Sequence, residues 1–168
     1  MAGAFTSVPR QTPVSEMPNA PEYLIVSFTE QGRAAAEQAW PLDGTAAGRH
    51  HIHRPSAGPD VVIELRKQAR QARVGLRVLI AGPEADVFAA SSALKEAGMV
   101  DEEISPLITD TGLRRVYCTH CRATTTTRSQ IGQTVVCGNC TRELLVYYHF
   151  SRRTASYLGF QVDAEEAP

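Results

Sequence analysis

LRVLIAGPEADVFAASSALKEAGMVDEEISPLI, residues 76–108, decides the fold class. Its opening, LRVLIAG (76–82), is a continuous apolar run of a length suited to a buried strand. Gly82-Pro83 breaks that run. Glu84 to Ala97 reads as a helix, with Val87, Phe88, Ala90, Ser91, Leu94 and Ala97 on or near one face. Gly98 is suited to a left-handed stop just beyond it. EEISPLI (102–108) returns as a strand interrupted by Pro106. Strand, helix and strand in 33 residues make a βαβ unit, which implies a parallel sheet.

Upstream, YLIVSF (23–28) is a second short apolar run and reads as another buried strand. A helix rich in Ala and Gln is expected from about Gln31 to Trp40. Residues 41–59 hold three Gly and three Pro around His50-His51-Ile52-His53, and read as loop or weak strand. The three histidines look like a metal cluster, but no carboxylate pair lies nearby in sequence, so a solvated loop is expected. Asp60 to Arg73 reads as a helix with Asp60 as its N-cap. Residues 1–21 carry Pro9, Pro13, Pro18 and Pro21, a density that denies helix and central strand and points to a flexible arm.

From Leu113 the composition changes to Thr, Val and Tyr, residues suited to strands. VYC, CRATTTTRS, QTVVC and ELLVYYHF are expected to build three short antiparallel strands, with Ser129 to Gly132 as a hairpin turn. Four cysteines punctuate them: Cys118, Cys121, Cys137 and Cys140, in a Cys-x2-Cys, fifteen-residue, Cys-x2-Cys pattern. That spacing belongs to four-thiolate zinc sites. Iron sites built from two such pairs favour Gly after the second cysteine of each, where this chain has Arg122 and Thr141. They also favour a longer span between pairs, so zinc is expected. Four thiolates leave no open position, which makes the ion structural. His120 stands between the first two cysteines as a weaker alternative ligand.

The formal net charge is −1, but residues 22–112 carry 9 Lys/Arg against 13 Asp/Glu, while residues 113–157 carry 7 Arg against Glu143 alone. The basic half is expected to meet something acidic. Arg114, Arg115, Arg122, Arg128, Arg142, Arg152 and Arg153 form the expected cationic face, with Arg152, Arg153 and Tyr157 as a partner-docking patch. No Gly-x-Ser-x-Gly elbow and no Gly-x4-Gly-Lys phosphate loop is present, and no catalytic residue is assigned. No run approaches the roughly 18 apolar residues of a membrane span. With no secretory pattern at the start, a soluble, cytoplasmic protein with reduced thiols is expected. The expected architecture is α/β. An incomplete doubly wound parallel-sheet domain at 22–110 is followed by a small antiparallel zinc ribbon at 113–150 and a C-terminal docking tail at 151–168.

Two resemblances add to this. VLIAGPEADVFAASSALKEAGMVDEEI (78–104) resembles the late part of the nicotinamide domain of ferredoxin reductases. Ala81 stands where that family has a cysteine, and FTEQG (28–32) lacks its glycine-rich turn, which implies a degenerate, reductase-like domain. Residues 116–163, with their two cysteine pairs, HFSRR and a following Tyr and Leu-Gly, are similar to the small DmmA-like subunit of bacterial dimethylamine monooxygenase. That resemblance implies a non-catalytic subunit of an NAD(P)H-dependent complex that oxidatively demethylates dimethylamine to methylamine and formaldehyde. It implies haem on an oxygenase subunit, and FMN, an iron–sulfur cluster and NAD(P)H on reductase parts. Two other readings stand beside it: a zinc-ribbon nucleic-acid-binding protein, disfavoured by the acidic half, and a weak flavin or NAD reductase component resting on Gly82-Pro83.

Overall fold

β1, Glu22–Phe28, is buried along nearly its whole length, as an unbroken apolar run requires. The computed structural model describes residues 7, 17–41 and 48–162. The chain divides between Thr111 and Gly112 into two compact units, and Ser7 belongs with the second.

In the first unit β1 is followed by α1 (Thr29–Ala39), β2 (Arg49–Arg54), α2 (Pro59–Gln71), β3 (Leu76–Pro83), α3 (Glu84–Glu96) and β4 (Ile104–Asp110). The sheet order is β2-β1-β3-β4, with every pair parallel. Alternation along the strands splits the core in two. Leu24, Val26, Phe28, Val78 and Ile80 pack with Val61 and Leu65 of α2 and with Val87, Ala90 and Leu94 of α3. Tyr23, Ile25, Leu79 and Ala81 pack with Ala36 of α1 and with Trp40. Helices therefore cover both faces of a four-stranded sheet, an incomplete doubly wound fold. Gly32 lets α1 approach β3, since a Cβ there would lie 2.7 Å from the Ala81 carbonyl oxygen.

Several local expectations change. The segment around the histidines, expected as loop or weak strand, is strand β2, in parallel register with β1: Ile25 opposite His51 and Ser27 opposite His53. His-x-His is period two, and both rings face the α1 side. Gly58, and not Asp60, is the N-cap of α2, because Pro59 occupies the first helical position. β3 continues through Pro83, with a register shift against β4 at that point. Residues 101–103 form a 3-10 turn before β4, and Pro106 is accommodated because β4 is an edge strand. Most of the expected 1–21 arm lies outside the described residues. Within it, the Tyr23 hydroxyl donates to the Pro18 carbonyl (2.7 Å) and accepts from the Ala20 N–H (2.8 Å).

The second unit is a sheet of five strands and not three: β5 (Arg114–Cys118), β6 (Thr124–Thr127), β7 (Thr134–Val136), β8 (Glu143–Ser151) and β9 (Ser156–Gln161). Their order is β6-β5-β9-β8-β7. Neighbours are antiparallel except β5 and β9, which run parallel. The chain turns at 130–133, where the Gln133 N–H donates to the Gln130 carbonyl (3.0 Å), but the strands on either side are not paired: β6 and β7 lie at opposite edges. The physical reason is that each cysteine pair closes its own hairpin, β5–β6 and β7–β8, and β9 joins the two. Residues expected in a docking tail thus form the middle strand. Gly159 makes this possible, since a Cβ there would lie 2.7 Å from Val116 Cγ1 and 3.0 Å from Leu144 Cδ1. Among the described residues no helix is long and apolar enough to cross a membrane.

Candidate metal centre

The β5–β6 hairpin turns through Cys118-Thr119-His120-Cys121, and the β7–β8 hairpin through Cys137-Gly138-Asn139-Cys140. Both turns are bonded alike. The Arg122 N–H donates to the Cys118 carbonyl (2.9 Å), and the Thr141 N–H to the Cys137 carbonyl (3.0 Å). The Cys118 N–H donates to the Ala123 carbonyl and the Cys137 N–H to the Arg142 carbonyl, each at 2.8 Å. Arg122 and Thr141 take left-handed φ values of 65° and 59°. This is the geometry that glycine adopts without strain, reached here by residues that have side chains.

The two knuckles bring the four sulfurs together, all within 4.8 Å of one another. Cys118 Sγ lies 3.7 Å from Cys140 Sγ, and Cys121 Sγ 3.6 Å from Cys137 Sγ. A disulfide would need about 2.05 Å. The edge of a tetrahedron whose centre-to-corner bond is about 2.3 Å is about 3.8 Å, so the donors fit a four-thiolate ion. Cys118 and Cys137 are buried, Cys121 and Cys140 half-buried. His120 is exposed and outside the cluster.

The protein also prepares the charge of the site. The Asn139 side chain and the Ala123 N–H pull the Cys121 thiol down to about 6. The N–H groups of Cys140 and Asn139 lower Cys137. The Arg142 N–H pulls Cys140 down as well, but burial and the three neighbouring sulfurs together push it up to about 12. Backbone donors thus favour thiolates, while crowding resists the last of them, and a cation at the centre relieves that conflict. Asn139 is a site residue the cysteine spacing alone did not reveal. Thr125 is another, its hydroxyl accepting from the Gly138 N–H at 3.0 Å and tying β6 to the second knuckle.

The remaining expected site residues are dispersed. Arg152 and Arg153 are exposed at the tip of the β8–β9 hairpin. Tyr157 is 2% exposed and packs edge-on against Phe150, centroids 5.2 Å apart, so it supports the core and not a surface patch. The seven arginines do not share one face: Arg114 and Arg115 are successive residues of β5 and point to opposite sides. The Arg142 guanidinium bonds the Gln161 side chain.

The histidines of β2 enter a built cluster. Ser27 Oγ, fully buried, lies 2.9 Å from His51 Nε2 and 2.8 Å from His53 Nδ1, while His53 Nε2 is 3.3 Å from Glu30 Oε1. One hydroxyl carries one hydrogen, so Ser27 donates to one ring and accepts from the other. Glu30 favours the proton on His53 Nε2. His53 Nδ1 then accepts from Ser27, and His51 donates through Nε2. Burial, then the neighbouring His53, lowers the His51 pKa.

A parallel α/β unit followed by a knuckle-built, four-cysteine sheet is the class of protein this fold defines. Residues 115–160 match the family described as dimethylamine monooxygenase subunit DmmA-like, C-terminal domain. The chain is 34% identical to the heme-dependent oxidative N-demethylase delta subunit of Ectopseudomonas mendocina (strain ymp), over 95% of this chain and 90% of that protein. The chain belongs to this DmmA-like, N-demethylase delta-subunit family. No solved structure matches it.

Proposed function

We propose that this chain is a non-catalytic structural subunit of a cytoplasmic, NAD(P)H-dependent monooxygenase complex that oxidatively demethylates dimethylamine to methylamine and formaldehyde. The observation that carries the reading is similarity along nearly the whole chain to a protein named as the delta subunit of a heme-dependent oxidative N-demethylase. Haem, FMN and an iron–sulfur cluster then reside on the oxygenase and reductase subunits. The ion on this chain is zinc, held by Cys118, Cys121, Cys137 and Cys140. Four thiolates close its coordination, so it stabilises the sheet and offers no site for substrate.

The α/β unit supports a non-catalytic reading too. A dinucleotide would lie at the carboxyl ends of β1 and β3, with its pyrophosphate on a helix N-terminus. The first turn of α1 carries Glu30, and that of α3 carries Glu84 and Asp86. Those carboxylates oppose a phosphate. Thr29, with φ of 64°, occupies the turn where the fingerprint has glycine.

Arg152 and Arg153 contribute to docking against an acidic subunit. The test is paired: co-purification of the native complex with haem and flavin absorbance, and thermal melting of the isolated chain. Arg152→Glu with Arg153→Glu is expected to leave melting nearly unchanged, since exposed charges move stability by only about 0.5 kcal/mol. The same change is expected to release the chain from the complex at moderate salt. A wild-type chain that purifies without coloured partners, or with bound nucleic acid, contradicts the reading.

A further inference from the structure

β8 breaks its ladder with β9 at one place. Val146 pairs with Gly159 and Phe150 with Tyr157, so Tyr147, Tyr148 and His149 together oppose the single residue Leu158. Val146 and Phe150 on either side are buried, while Tyr148 and His149 are exposed. A bulge of this kind gives up ladder hydrogen bonds and re-aims side chains, and bulges concentrate beside functional sites. Here it turns consecutive rings outward. The Tyr147 hydroxyl donates to the Tyr148 hydroxyl at 2.7 Å, and the two rings sit 4.0 Å apart. Phe160 of β9 props Tyr147 edge-on at 5.2 Å. Tyr148 and Phe160 remain 45% and 40% exposed. Large aromatic rings fixed by neighbours and left half-bare lose little entropy on contact, which is what binding hot spots require.

The charge around them identifies the occupant. β8 runs from the bulge directly into the hairpin tip with Arg152 and Arg153. Both arginines are exposed, and the β8–β9 hairpin beyond Glu143, residues 144–161, carries no Asp or Glu. We propose that Tyr147, Tyr148 and Phe160 form the anchoring platform for a partner protein whose surface is apolar at the centre of the contact and acidic at its rim. This rests on the subunit reading above and divides the labour within it. The aromatic platform holds the partner and sets the dissociation rate, while the arginines steer it and set the association rate.

The test measures association and dissociation between the zinc-loaded full chain and the complex lacking this subunit, at two salt concentrations. Tyr148→Ser with Phe160→Thr is the platform variant, and Arg152→Glu with Arg153→Glu the steering variant. Metal content and melting temperature show that each is folded, and Tyr148→Phe is a milder variant should the first melt early. The platform variant is expected to dissociate about thirtyfold faster with a nearly unchanged association rate, the size of a hot-spot loss. The steering variant is expected to associate more slowly and to lose salt dependence. A wild-type chain that does not bind overturns the subunit reading and the platform with it. Wild-type binding with an unchanged dissociation rate in the platform variant overturns the platform alone. A wild-type dimer that the platform variant dissolves assigns the face to a second copy and overturns the acidic-partner assignment.

Discussion

Arg122 and Thr141 each follow the second cysteine of a pair, and each sits at positive φ. For a residue with a Cβ that conformation costs about 1 kcal/mol or more. Replacing Thr141 by Gly is expected to stabilise the metal-bound sheet by about 1 kcal/mol, read as a higher melting temperature of the holo protein. A lower melting temperature would mean that the Thr141 hydroxyl bond to the Cys140 carbonyl, 2.7 Å, outweighs the strain. His51 gives a pH prediction at the same scale. Its pKa is lowered in the folded chain, from an ordinary value of 6.5. The unfolded chain therefore takes up the proton first, and the neutral ring's contribution is present above about pH 6.5 and lost as pH falls below it. Thermal melting from pH 8 to 5 should show His51→Gln losing less stability on acidification than the wild type. Equal losses would place the sensitivity elsewhere.

β9 is the element that makes the second unit a sheet and not a pair of hairpins. It pairs in parallel with β5 and antiparallel with β8, so both knuckles share one backing strand. The apolar residues it covers, Val116, Leu144 and Val146, are fully buried. Gly159→Ala places a methyl group 2.7 Å from Val116 Cγ1, and overpacking of this kind costs about 1–3 kcal/mol. The expected outcome is faster release of the ion to a chelator, with all four thiols intact by titration. An unchanged release rate would show that the knuckles do not depend on β9. The strand was hard to see in sequence because SYLGFQ is short, holds a glycine, and follows two arginines that read as the start of a tail. Its pairing with β5, about 40 residues earlier in the chain, leaves no local mark. β2 was legible only as loop or weak strand for a related reason: Gly and Pro on both sides obscured it, and its register with β1 is what makes it a strand.

At the scale of the molecule the two units have different sources of stability. The α/β unit buries aliphatic clusters on both faces of its sheet. The second unit is small and joins its two hairpins through four thiols. Metal binding of this type is worth about 10 kcal/mol or more, enough to decide whether so small a unit folds. Cys137→Ser is expected to expose residues 114–161 to limited proteolysis while residues 22–110 stay protected. Equal loss of protection in both regions would show that the α/β unit leans on the metal site.

The cysteine cluster could be read from the chain because its geometry is local: two cysteines three apart in a tight turn must present both sulfurs to one side. The βαβ unit was equally local, since hydrophobic period and a Gly stop suffice to mark it. Long-range pairing decided what such local signals left open. It set β9 between the knuckles and moved Tyr157 from a surface patch into the core. It also opened a bulge that turns Tyr147 and Tyr148 outward, and gathered Ser27, His51, His53 and Glu30 from three elements. Those outcomes depend on which strands become neighbours, and that is settled by packing across the whole sheet and not by any short stretch of sequence.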